Sequence, residues 1–164
     1  MNRLVIRVLR ALIVITALIA LYGQVIVIPT SASDMAEEYP DLAYLAVPYA
    51  ILAIIGVACV EAALVAVWKL LSMARKDAIF GERAFLWVDV IIGAASVATL
   101  IAAGVAVHLW VIPTISITAM VMFGLVMQAS AAAFAGFAFV LLMLVMRGLL
   151  RKATRLRSEL AEVI

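Results

Sequence analysis

Two long stretches of this chain, Ala11 to Trp68 and Ala84 to Met146, contain no lysine or arginine. Soluble domains carry about 25% charged residues throughout, so stretches this long without a cation do not read as parts of a soluble domain. Cysteine is nearly absent as well. The single Cys59 excludes an intrachain disulfide and a thiolate metal cluster. The single His108 cannot supply both axial ligands of a haem within one chain. No glycine-rich phosphate loop, paired-cysteine motif, His-Glu-x-x-His element or serine nucleophile elbow occurs. The expectation is a protein that is not an enzyme, with no cofactor and no metal.

What the chain does contain is hydrocarbon: 69% of its 164 residues are hydrophobic and 13% are charged. The twelve cations fall into three clusters, at 3–10, 69–83 and 147–157. Each cation-free stretch between them has room for two apolar spans of about 20 residues. Cytoplasmic loops of membrane proteins are enriched in Lys and Arg. The pattern therefore predicts an all-α polytopic membrane protein, with four transmembrane helices in an up-down bundle and both termini and the central loop cytoplasmic. The expected spans are 11–28, 44–68, 85–110 and 116–146, in one domain covering 1–164, followed by an amphipathic cytoplasmic tail at 147–164. The net charge of +2 sums basic inner edges and an acidic outer loop. It does not suggest nucleic-acid binding, and the basic rim suits the anionic lipid of the inner leaflet.

The first apolar run is roughly 18 residues, longer than the 7 to 15 of a signal peptide, so it is expected to be retained as a span. Pro29 is expected to end that helix, leaving Asp34, Glu37, Glu38 and Asp41 in an outward loop. Residues 75–83 form a cytoplasmic hairpin, and Pro113 marks a short outer turn. Val-Ile-Pro-Thr occurs at 27–30 and again at 111–114, which reads as a shared helix stop in a Val- and Ile-rich chain rather than a duplication. Trp68, Trp87 and Trp110, with Tyr22, Tyr39, Tyr44 and Tyr49, lie near span ends, as an aromatic belt requires.

Glu61 and Asp89 are the acidic residues inside the spans, and ionisable groups there are functional candidates because they are costly to bury. Counted from Lys69 and Arg83, they lie about 12 and 9 Å deep. Two facing carboxylates in low dielectric would share a proton and serve as a proton or cation relay. In the alternative, Asp89 pairs with Arg83 or Arg10 and Glu61 bonds a neighbouring helix. Ala94 with Ala98, and Ala132 with Gly136, present small residues four apart that let helices approach closely in lipid. In the tail, Leu149, Ala153, Leu156, Leu160 and Val163 form an apolar stripe, suited to a membrane surface or a partner; the alternative is a solvated continuation of span four.

The central Ile79-Phe80-Gly81-Glu82-Arg83, the acidic first outer loop, and a tail reading Met146-Arg147-Gly148-Leu149-Leu150-Arg151-Lys152-Ala153 and then Leu156 to Ile164 together resemble an uncharacterised bacterial family of small four-helix integral membrane proteins, a domain of unknown function. The resemblance implies a bacterial plasma-membrane location and a small helix-turn-helix regulator as a partner; it carries no catalytic residues. Two functions stay open. One is a non-enzymatic accessory or scaffold subunit, as a homo-oligomer or within a larger membrane complex. The other is a small proton or cation transporter, or an ion-responsive regulator, using Glu61 and Asp89.

Overall fold

A computed structural model describes residues 3–40, 43–74, 82–111 and 119–161. The elements are α1 (Arg3–Tyr22), a π-helical segment (Gly23–Val27), α2 (Ile28–Glu38), α3 (Ala43–Ala74), α4 (Glu82–Val111) and α5 (Ala119–Ala161). Four helical stretches are long and apolar enough to cross a membrane: Ile6–Glu38, Ala43–Met73, Ala84–Val111 and Phe123–Arg155. These match the four expected spans in number and order. The central loop at 75–81 and the turn around Pro113 lie outside the described residues.

Pro29 does not end the first helix. Proline lacks the N–H that would bond four residues back, and its ring crowds that carbonyl. The chain absorbs this with the π-helical segment, in which the N–H of Ile28 reaches the carbonyl of Gly23, five residues back. Pro29 then occupies the first turn of α2, where an N–H is not required. The Thr30 hydroxyl donates to the carbonyls of Ile26 at 2.8 Å and Val27 at 3.0 Å, tying α2 to the π turn. Asp34, Glu37 and Glu38, expected in a loop, therefore stand on a helix continuous with span one.

Three sets of contacts fix the helix directions. Arg10 meets Trp68 and Ser72, while Gln24 meets Ile54, so α1 and α3 are antiparallel. Lys69 lies beside Trp87 and Tyr49 beside His108, so α3 and α4 are antiparallel. Phe85 lies beside Arg151 and Thr99 against Gly136, so α4 and α5 are antiparallel too. The up-down order is therefore present.

The closed bundle is not. Among the described residues α1 packs on α3, α3 on α4 and α4 on α5, whereas α1 touches neither α4 nor α5 and α3 does not touch α5. The helices form an open row. Buried side chains are accordingly seam residues, many of them small: Ala46, Ala66, Ala84 and Ala106 beside Ile13, Leu71, Val88 and Ile91. The accessible surface is 11378 Å², against about 7,900 Å² for a folded monomer of 17.6 kDa. A long α5 and an open row both leave more surface than a compact monomer of this mass would. A helix that is apolar all round has no preferred face in water; only a non-aqueous surrounding tolerates α3 and α4 in such an arrangement.

Candidate functional site

Polar chemistry concentrates at one end of the row. Arg10 of α1 places its guanidinium over Trp68 of α3, 5.1 Å from the ring centre, and its Nη2 donates to the hydroxyl of Ser72 at 3.1 Å. That hydroxyl donates in turn to the carbonyl of Trp68 at 3.0 Å. The Lys69 ammonium lies 6.0 Å from the Trp87 ring, and the Arg151 guanidinium 6.0 Å from the Phe85 ring. Between them Nη2 of Arg147 donates to Oδ2 of Asp89 at 2.7 Å. Three cations thus rest on aromatic faces, an arrangement that favours the charge as it leaves water, and a fourth is held by a carboxylate. The Nε atoms of Arg10 and Arg147 are buried without a hydrogen-bond partner.

This geometry separates the two intramembrane carboxylates. The contact of Lys69 with Trp87 sets Asp89, two residues further on, level with Val67 and Trp68, while Glu61 is level with Ser96. Seven residues of helix, about 10 Å, lie between those depths. The directions differ as well, because Asp89 is engaged by α5 and Glu61 lines a groove between α1 and α3. Of the two arrangements the sequence left open, a shared-proton pair and separately bonded carboxylates, these contacts favour the second. Counting depth from the two loop ends put the carboxylates level, whereas Arg83 sits a full helical turn beyond the level of Lys69. Asp89 is paired with Arg147, the first cation after span four, while Arg10 is engaged by Trp68 and Ser72; the side chain of Arg83 lies outside the described residues.

The groove beside Glu61 has a volume of about 480 Å³ and is walled by Ile13, Val14, Ala17, Leu18, Leu21, Leu64, Val65 and Trp68. It is almost wholly hydrocarbon. At the opposite end of the row, the Tyr49 hydroxyl lies 2.7 Å from Nδ1 of His108 beside a smaller cavity of about 140 Å³ lined by Leu45, Pro48, Leu52, Gly104 and Val105. His108 is therefore a bonded side chain between α3 and α4. Among the described residues no three His, Cys, Asp or Glu gather as metal ligands would. Trp68 and Trp87 lie under cations, while Trp110 is 74% exposed, as an interfacial anchor would be.

The four small residues picked out for packing have unequal roles. Gly136 is pressed against Thr99: a Cβ there would meet the threonine hydroxyl within van der Waals overlap and its Cβ at 3.2 Å. Ala94 and Ala98 are half-buried on α4, and Ala132 is exposed. In the tail, Leu149 is exposed and the backbone to Ala161 is one helix with span four. The side chains of Leu156 and Leu160 lie outside the described residues.

Sequence reasoning missed the Arg10–Trp68–Ser72 and Tyr49–His108 contacts, since nothing in an apolar helix marks which face meets which neighbour. No curated protein and no solved structure matches the chain. A family model described as "Protein of unknown function (DUF2975)" matches residues 30–164, most of the chain, from the third residue of α2 onward. The chain belongs to this DUF2975 family.

Proposed function

We propose that this protein is a non-enzymatic accessory or scaffold subunit of the bacterial plasma membrane, inserted with both termini and the central loop cytoplasmic. The observation that supports it is the open row. Its edge helix α5 packs on α4 alone, and Phe123, Phe134, Phe137 and Phe139 stand exposed along it with Ala131, Ala132 and Ala135 between them. Small residues permit close helix approach in lipid and aromatics add dispersion contact. The exposed Gln128 on the same helix adds a side chain able to hydrogen-bond across such an interface. The basic extension of α5 beyond Arg147 would carry Leu149 and the rest of the stripe toward a cytoplasmic protein, the helix-turn-helix regulator implied by resemblance being one such partner. Nucleic acid is not expected as a direct partner.

Mild-detergent affinity purification with mass spectrometry tests this reading. Membrane subunits, or further copies of this chain, should co-purify, and Ala132→Leu should deplete them while leaving the protein folded. Loss of partners on Leu156→Ser with Leu160→Ser would assign contact to the tail instead of α5. Recovery of the chain as a monomer without a stoichiometric partner would refute the scaffold role. The relay reading draws less support, since Asp89 is paired with Arg147 and Glu61 lines the α1–α3 groove.

A further inference from the structure

The groove between α1 and α3 ends beneath Arg10. Trp68 forms part of its wall and also carries the guanidinium of Arg10 on its ring. From Ile13 to Leu21 the wall extends eight residues, about 12 Å, close to the thickness of one hydrocarbon leaflet. Glu61 lies seven residues from Trp68, about 10 Å from the mouth, so the carboxylate is remote from whatever meets the arginine. Nη2 of Arg10 is bonded to Ser72 and Nε is buried without a protein partner, so the five-donor guanidinium keeps hydrogen-bonding capacity for an outside acceptor. An apolar trough of leaflet length with a cation at its mouth is complementary to an anionic amphiphile.

We infer that the α1–α3 groove is a binding site for an anionic phospholipid, with one acyl chain along Ile13, Ala17, Leu64 and Val65 and the phosphate on Arg10. Basic pockets between helices on the cytoplasmic side are where acidic headgroups are recognised. The ring of Trp68 serves both halves of the ligand, since its edge walls the chain and its face holds the cation. This site goes beyond the scaffold role and rests only on the membrane insertion assumed there.

The test uses full-length protein reconstituted in nanodiscs of phosphatidylglycerol and phosphatidylcholine in equal parts, then extracted in mild detergent and assayed for retained phospholipid by headgroup. Phosphatidylglycerol should be enriched about fivefold, the preference one cation gives at a membrane surface. Arg10→Gln should bring the ratio close to one, and Arg10→Lys should keep most of the enrichment. Ala17→Phe, which fills the trough, should lower retention of both lipids. Arg151→Gln, a cation at the same end outside the groove, should leave the ratio unchanged. Undiminished enrichment in Arg10→Gln, an equal loss in Arg151→Gln, or full retention in Ala17→Phe overturns the site. Failure of every variant and the parent to enter nanodiscs overturns the membrane reading along with it.

Discussion

Nη2 of Arg147 donates to Oδ2 of Asp89 across the α4–α5 seam at 2.7 Å, and the side chain of each is more buried than exposed. The pair lies one turn inward from Arg151 over Phe85, so the basic end of α5 is held at two successive levels. Removing one partner leaves the other charge desolvated and unpaired. Arg147→Gln should lower stability by about 1 to 3 kcal/mol, read as a fall in the melting midpoint of the purified protein. Asp89→Asn combined with Arg147→Gln should recover part of that loss, because neither charge remains. Strict additivity of the two substitutions would mean that the bond contributes nothing.

A second prediction contrasts two positions that look alike in the sequence. Gly136 meets Thr99, whose hydroxyl is itself tied to the carbonyl of Ala95 at 2.7 Å and cannot easily turn away. Gly136→Ala should therefore cost about 1 to 3 kcal/mol through overpacking, despite alanine's better helix propensity. Thr99→Ala should restore much of it in the double variant. Ala132→Leu, one turn away on the exposed face, should leave the melting midpoint within about 0.5 kcal/mol of the parent. Equal effects at 132 and 136 would show that the seam runs along a different face of α5.

The third concerns the opposite end of the row. Tyr49→Phe removes the hydroxyl that meets His108 at 2.7 Å while keeping the ring. A loss of about 0.5 to 1.5 kcal/mol is expected, and His108→Phe should behave similarly. Melting of the parent, both variants and the double Tyr49→Phe/His108→Phe as the fourth corner of the cycle measures the coupling.

Orientation can be checked with impermeant maleimide on intact cells, in a Cys59→Ser background. A cysteine replacing Ser33, exposed on α2, should be labelled; one replacing Lys152, exposed on α5, should react only after permeabilisation. The reverse pattern would invert the topology.

The number of apolar helices and their up-down order were legible because cations can be counted in a chain and their absence has one physical meaning over sixty residues. Pro29 was misread for a reason of the same kind: proline excludes one hydrogen bond, and the sequence does not say whether the helix stops or shifts to a five-residue turn. The depths of Glu61 and Asp89 required knowing how α3 and α4 slide past each other, which depends on Lys69 meeting Trp87. The α1–α3 groove was invisible because Ile13, Leu18 and Val65 carry the same hydrophobic signal whether they wall a cavity or face a neighbour. Gly136 was legible as a small residue, though only Thr99 distinguishes it from Ala132.

The open row also bears on how the chain folds. Every packed helix pair among the described residues joins consecutive spans, so no seam must wait for a distant segment to be made. Such a chain resembles a linear array, whose stability is a sum of neighbour terms and whose ends can peel away singly. In a bilayer each hairpin would close as soon as its second helix inserted, and the loop-closure cost would stay small throughout. The α4–α5 seam therefore does not depend on α1 and α2, which among the described residues pack on α3 alone of the later helices, whereas in a closed ring of four helices every helix would be held from two sides.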